Sequence, residues 1–346
     1  MNTFTYLLGA GASYNVLPLV KNFPDRLEGF RKFIESIFPI TIKENAELVK
    51  KIRSPREQFN RDMEDLIIET KNHASIDTYA RKLYLTSIEN ELLKLKSLLD
   101  LFFSIEQFIN GIDARYDAFF AALLTDENHL VKLPENINII SWNYDFQIEL
   151  FLGSLLAVED SRQLEERISI YPSSLRPTHD TFSIVKLNGT ALGRYGNGIF
   201  NKEAFDPKIY KTKFIGDCRD RMIEKLIKDY FQNVYLSNPD QKYEPSILYS
   251  WEKGIISESA RHYAKKIMSN TDYLIVIGYS FPTFNRTVDR DLLSSLKSLK
   301  TIYIQSPEET IDAVEQRLHA LMGNTPQNNI NSIPEVDEFF IPYEYK

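Results

Sequence analysis

Four short groups of residues have the types and spacing to do chemistry. The first is Gly9-Ala10-Gly11 with Ser13, which follows the apolar run Phe4–Leu8. That run is too short for a helix and carries aromatic and β-branched residues, so it predicts a buried strand entering a tight turn. Gly9 and Gly11 admit backbone angles closed to other residues and let a bulky ligand come close to the main chain. A helix opening near Ala12 would aim free N–H groups and the positive end of its dipole over the glycines, an arrangement that holds a pyrophosphate. The pattern of strand then polar turn recurs three times. Ile137–Ser141 leads to Asn143 and Asp145, Ser183–Leu187 to Asn188-Gly189-Thr190, and Tyr273–Ile277 to Gly278-Tyr279-Ser280. Each alone could be an ordinary turn, because Asn, Asp, Gly and Ser end strands everywhere. Four at the same end of parallel strands would face one crevice, where open α/β sheets bind their ligands.

Strands that alternate with helices are what must position these groups. The chain therefore reads as an α/β protein: a Rossmann-like, mostly parallel sheet with helices on both faces, plus a helical insertion. The sheet domain is expected over 1–24 and 131–346, and the insertion over 25–130. Within the insertion, Leu92, Leu95, Leu99 and Phe102 recur at helical spacing, and Leu98, Ile105, Phe108 and Ile109 extend the stripe. Glu89, Glu91, Lys94 and Lys96 read as its solvated face. Helices are expected over 146–156, 219–232, 257–269 and 290–299. A mobile loop is expected around Gly193, Gly196 and Gly198, irregular chain over 233–250 with Pro239 and Pro245, and a loop over Asn324–Asn331.

Composition narrows the function classes. A chain of 346 residues can bury a large core, and 43% hydrophobic with 26% charged residues describes a globular protein. The net charge of -7 argues against wrapping nucleic acid by general charge. One cysteine, Cys218, rules out a disulfide framework and a multi-cysteine zinc site, and suits a reducing cytoplasm. Residues His73, His129, His179, His262 and His319 are scattered without metal-ligand spacing, so no metal is expected. No apolar run is long enough for a membrane span, and the first strand begins without a basic leader, so a cytoplasmic location is expected. Tyr14 stands where G-x-G-x-x-G needs its third glycine, which disfavours a Rossmann oxidoreductase.

In this order, Gly9-Ala10-Gly11-Ala12-Ser13, Trp142-Asn143-Tyr144-Asp145, Lys186-Leu187-Asn188-Gly189 and Val276-Ile277-Gly278-Tyr279-Ser280-Phe281 resemble the sirtuin-like family. In particular they resemble its bacterial branch that destroys NAD during antiphage defence. The resemblance touches strands from about residue 4 to 306 and leaves the helical insertion outside. It implies that NAD is bound as substrate or ligand, with Gly9, Ala10, Gly11 and Ser13 at its phosphates. Asn143 would sit by the nicotinamide ribose and the attacking water, and Asp145 near the carboxamide. Gly278 and Ser280 would line the adenosine side, Gln305 the adenine ribose, and Asp289 matches an acidic position after the glycine turn. Pro18 or Pro24-Asp25 corresponds to the family's cofactor loop. By family habit the chain assembles with itself or with a separate sensor or effector subunit.

The chain departs from the family twice. It lacks the four-cysteine zinc module of the deacylases, which removes the ground for protein deacylation. It also reads Asn188-Gly189 where members read His-Gly, and an amide takes up no proton near pH 7. Losing a positioned base costs about a hundred- to ten-thousand-fold. Cleavage of the nicotinamide–ribose bond passes through an oxocarbenium-like state that needs a positioned ribose and an oriented nucleophile more than a strong base. Two readings stand: an NAD glycohydrolase weakened or silenced at Asn188, and a non-catalytic nucleotide-binding regulatory subunit. His179, near Asp180, is the histidine closest upstream, with nothing in its spacing to bring it to the pocket.

Overall fold

Alternate residues of the apolar runs go to opposite sides of one sheet. In strand β1 (Phe4–Leu8), Phe4, Tyr6 and Leu8 enter one core and Leu7 the other. The computed structural model describes residues 1–127, 130–158, 161–172, 182–196, 199–202, 217–236, 244–323 and 330–345. After β1 come helices α1 (Phe23–Ile37), α2 (Ile40–Lys43), α3 (Ala46–Ile52), α4 (Pro55–Asn72), α5 (Ile76–Leu85), α6 (Glu89–Asn110) and α7 (Arg115–Leu123). Strands β2 (Thr125–Glu127) and β3 (Leu130–Lys132) form a small hairpin. The sheet resumes with β4 (Ile137–Ser141), followed by α8 (Gln147–Leu155), α9 (Ser161–Arg167), β5 (Ser169–Tyr171) and β6 (Ser183–Lys186). Then come β7 (Gly189–Gly196), β8 (Ile199–Lys202), α10 (Asp217–Phe231) and β9 (Glu244–Ile247). The remainder is α11 (Ile255–Ser269), β10 (Tyr273–Ile277), α12 (Arg286–Leu293), β11 (Thr301–Gln305), α13 (Glu308–Met322) and β12 (Ile330–Ile333).

The main sheet has seven strands in the order β12-β11-β10-β1-β4-β6-β5, and every pair is parallel. This is the α/β fold expected from the alternation of strands and helices. Its order reverses at β1: the chain moves to β4 on one side and later returns to β10 on the other. Leu8 is level with both Ser141 and Ile277, and Ser141 is level with Lys186, so the four polar turns leave from one edge. Helices α11, α12 and α13 cover one face through Ala264, Met268, Leu292 and Leu318. The helices before β2, with α8, cover the other and share a continuous core with Phe4, Tyr6, Ile139 and Ile275. No helix among the described residues is long and apolar enough to cross a membrane.

Several local expectations change. Gly193 and Gly196 belong to β7, the middle strand of an antiparallel sheet with β8 and β9, while Gly198 lies outside the described residues. Part of the stretch expected to be irregular, Glu244–Ile247, is β9. Pro245 sits in it at an edge of the small sheet, where a missing N–H is tolerated. The helix expected from Arg290 starts at Arg286 and ends at Leu293. Residues 330 and 331 begin β12, and the rest of the asparagine-rich stretch is outside the described residues. Lys96 is not on a solvated face. It is buried, with its Nζ 2.7 Å from Glu252 Oε1, because α6 is covered on that side by the chain after β9.

Candidate functional site

The turn after β1 is not the opening of an α-helix. Ala10–Ser13 make one short 3-10 turn, and the first α-helix begins only at Phe23. The N–H groups of Gly9, Gly11 and Ala12 bond to the carbonyls of Ile277, Gly278 and Gly9. The glycines instead let two backbones touch. A Cβ on Gly11 would lie 2.6 Å from Gly278 Cα, and one on Gly278 would lie 2.4 Å from Gly11 Cα. Gly278 also has φ of +59°, which a side chain rarely tolerates. The crossing of β1 and β10 at the sheet's reversal is thus closed by glycine packing.

Beside this crossing lies a cavity of about 470 Å³. Gly9, Ala10, Ser13, Asn143, Asp145, Asn188, Gly278 and Ser280 all reach its wall, so residues from four strand ends meet there. Gly11, Asp289 and Gln305 are not on the wall. Gly11 is held by its contact with Gly278, and its carbonyl accepts from Arg115 at 3.1 Å. Asp289 is buried under Tyr279, whose hydroxyl lies 2.9 and 3.0 Å from its two oxygens. Burial pushes that carboxyl up to about 8, against the hydrogen bond from Tyr279. Gln305 pins the C-terminal segment: its Oε1 accepts from Phe340 N at 3.0 Å and its Nε2 donates to the Glu338 carbonyl. Pro18 lies on the wall, whereas Pro24 and Asp25 are in the first turn of α1. His179 and Asp180 lie outside the described residues.

The side chains at the strand ends are tied to the frame. Asn143 Nδ2 donates to the Gly9 carbonyl at 3.0 Å, joining the ends of β4 and β1. Asp145 accepts from Ser13 Oγ at 2.9 Å and from the Gln147 N–H at 3.2 Å. Burial raises its carboxyl, while Lys186 and these hydrogen bonds pull it back. Lys186 is itself buried, donates to the Asp145 carbonyl and stands 3.6 Å from Glu149. Asn188 uses both ends of its amide: Nδ2 donates to the Trp142 carbonyl at 2.9 Å and Oδ1 accepts from Ser250 N at 3.1 Å. Trp142 stacks on Tyr279 with ring centres 5.3 Å apart.

Two wall residues carry chemistry that sequence reasoning missed. Asp77, in the first turn of α5, accepts the hydroxyl of Tyr144, and burial raises its carboxyl above the usual range. In the sequence it reads as an ordinary first-turn acid after the N-cap Ser75, which does accept from Thr78 N. Arg317, on α13, is the one lysine or arginine among the described residues of the wall, and donates to the Ser280 carbonyl at 2.9 Å. Its place three residues after Val314 signals only an amphipathic helix. The remaining wall is largely apolar, with Leu17, Val20, Phe23, Ile76 and Phe103. A cleft of this size, with few placed polar groups, suits a small organic ligand.

No protein-family model matches the sequence, and no curated protein matches it. Among solved structures the chain is similar to a Sir2 in complex with the inhibitor EX-527, 2'-O-acetyl-ADP-ribose and a deacetylated p53 peptide. The identity is 10%, with 97% of this chain and 89% of that chain covered and a TM-score of 0.32. It is also similar to Sir2Tm bound to a propionylated peptide, at 11% identity, 92% coverage of each chain and a TM-score of 0.30.

Proposed function

We propose that this pocket binds NAD and that the chain is a sirtuin-like NAD glycohydrolase, cleaving NAD to nicotinamide and ADP-ribose in bacterial antiphage defence. One observation carries the reading. Four motifs spread from Gly9 to Ser280 in the sequence share the wall of one cavity at the reversal of a parallel sheet, the position where such sheets take nucleotides. With the N–H groups of Gly9, Gly11 and Ala12 engaged, Arg317 is the group for the pyrophosphate. Asn143 and Asp145 take the ribose and carboxamide end, and the apolar wall takes the nicotinamide ring. The sheet domain of 1–24 and 131–346 supplies the crossing, and the helices of 25–130 supply the opposite wall. Exposed Ile40, Ile68, Leu85, Ile88 and Ile109 on or beside those helices give a surface for self-association or for a sensor or effector subunit.

A second reading is a non-catalytic NAD-binding regulatory subunit. It is favoured by Asn188, whose amide is held by Trp142 and Ser250 and cannot take up a proton from a water. Calorimetry with NAD and with ADP-ribose, alongside nicotinamide release, separates the readings. Binding of both ligands with release of nicotinamide is expected. Binding without release would select the regulatory reading, and no heat from either ligand with folded protein would remove both.

A further inference from the structure

One carboxylate on the pocket wall lies outside the four strand-end motifs. Of the acids on the wall, Asp145 has one oxygen engaged by Ser13 and the other by Gln147. The hydroxyl of Tyr279 is held between Asp289 and Asn285. Asn188 is bonded at each end of its amide, which takes up no proton near pH 7. Asp77 differs. Its Oδ1 accepts from Tyr144, and its Oδ2 has no hydrogen-bond partner on another described residue. It is half-buried and is one of the residues that line the cavity. Tyr144 stands between Asn143 and Asp145 in the chain, so this one hydrogen bond fixes Asp77 to the turn that carries both.

We propose that Asp77 is the general base of this pocket, the carboxylate that takes the proton of the water attacking C1′ of the nicotinamide ribose. The proposal rests on the glycohydrolase reading and supplies the base that Asn188 does not. The bond between C1′ and the nicotinamide nitrogen breaks, and its electron pair stays with the nitrogen, leaving neutral nicotinamide. The water oxygen forms the new bond to C1′. The proton it loses goes to Asp77 and from there to solvent, so the products are nicotinamide, ADP-ribose and one proton.

The surroundings suit the task. The ionisable groups that feel the charge of Asp77 are the phenols of Tyr144, Tyr249 and Tyr279, from the turn after β4, the segment after β9 and the turn after β10. Burial keeps all three phenols neutral, well above their ordinary range. Lys96, whose Nζ lies over the Tyr249 ring, is held by Glu252. Asp77 is therefore a carboxylate among neutral rings, with burial raising its affinity for a proton and the Tyr144 hydroxyl moderating that rise. A base works best when its pKa approaches the working pH, and burial moves Asp77 in that direction.

The test uses the full chain and three variants: Asp77→Asn, which keeps an acceptor for Tyr144, Asp77→Glu, and Tyr144→Phe. NAD affinity, nicotinamide release against pH and melting temperature are measured for each. Asp77→Asn should lower kcat by about a hundred- to ten-thousand-fold, leave KM and melting temperature near wild type, and abolish the acid limb of the pH profile. Asp77→Glu should restore part of the rate. Tyr144→Phe should move the acid limb to higher pH, because the hydrogen bond that lowers the Asp77 pKa is gone. Wild-type kcat in a folded Asp77→Asn variant would overturn the proposal, as would an unchanged acid limb. Wild-type protein that binds NAD but releases no nicotinamide would overturn it while leaving the nucleotide pocket standing. Failure of the folded wild type to bind NAD or ADP-ribose would overturn the pocket reading itself.

Discussion

The two walls of the pocket are built on opposite terms. On the sheet side, Asn143, Asp145, Asn188 and Gly278 are each tied to neighbouring backbone or side chains by hydrogen bonds or close van der Waals contact. On the helical side, Asp77 from α5 and Arg317 from α13 each make one tie to the sheet edge and keep polar capacity for a ligand. The difference teaches that a residue can belong to a recognisable motif because it shapes a site, while other polar groups of the wall come from elements that carry no motif. Substitutions at Gly278 and Asn188 should act first on stability, and those at Asp77 and Arg317 first on ligand.

The largest effect is expected at the glycine crossing. Gly278→Val places a Cβ 2.4 Å from Gly11 Cα and 2.7 Å from Ala12 N, both backbone atoms that cannot step aside. Its positive φ adds strain of about 1–3 kcal/mol, and overpacking adds about 1–3 kcal/mol more. Expression should fall, and urea unfolding of what survives should show a midpoint far below wild type. A Gly278→Val protein of normal stability that has lost only ligand would reverse the roles assigned to the two walls.

Next comes Asn188. Asn188→Ala leaves the buried Trp142 carbonyl and the Ser250 N–H without their side-chain partner, at about 1–3 kcal/mol for each group. A clear drop in melting temperature should accompany any loss of turnover. An unchanged melting temperature with abolished hydrolysis would return Asn188 to the chemistry and away from the frame.

A pH-dependent effect is expected at Asp289. Its carboxyl is pushed up to about 8 in the folded chain, against about 3.9 when unfolded. Between these values the folded state binds the extra proton. The contribution is therefore complete below about pH 4 and is lost as pH rises to about 8, at no more than about 1.4 kcal/mol per pH unit. Asp289→Asn keeps an acceptor for Tyr279 and should flatten this decline. Thermal scans across that range would show it, and equal slopes for both proteins would remove Asp289 as the source.

Much of this frame was legible because its signals are local. The end of a buried strand followed by Gly, Asn or Asp marks one edge of a parallel sheet, and the level registers of Leu8, Ser141 and Ile277 follow once the strands pair. What was not legible depends on contacts distant in sequence. Asp77 looks like any first-turn acid until Tyr144, 67 residues away, donates to it. Gln305, at the end of β11, gives no sign that the segment near Phe340 folds back onto its amide. The short turn at Ala10–Ser13 is set by the approach of Gly278, which the run of small residues permits without foretelling. Lys96 looks solvent-facing by helical spacing, and only the partner Glu252 explains its burial.

The smallest effect on stability is expected at Arg317, where the two walls separate most cleanly. Its side chain is exposed and makes one hydrogen bond, to the Ser280 carbonyl, so Arg317→Ala should change stability by no more than about 0.5 kcal/mol. If the guanidinium meets the pyrophosphate, NAD affinity should weaken by about tenfold, equivalent to about 1.4 kcal/mol, and the loss should shrink at high salt because the contact is open to solvent. Nicotinamide riboside, which shares the ring and ribose but has no phosphate, should bind wild type and variant equally. Equal weakening for both ligands would mean that Arg317 acts by positioning the Ser280 turn, as sheet-wall residues do, and the division between a framing wall and a reacting wall would fail at this residue.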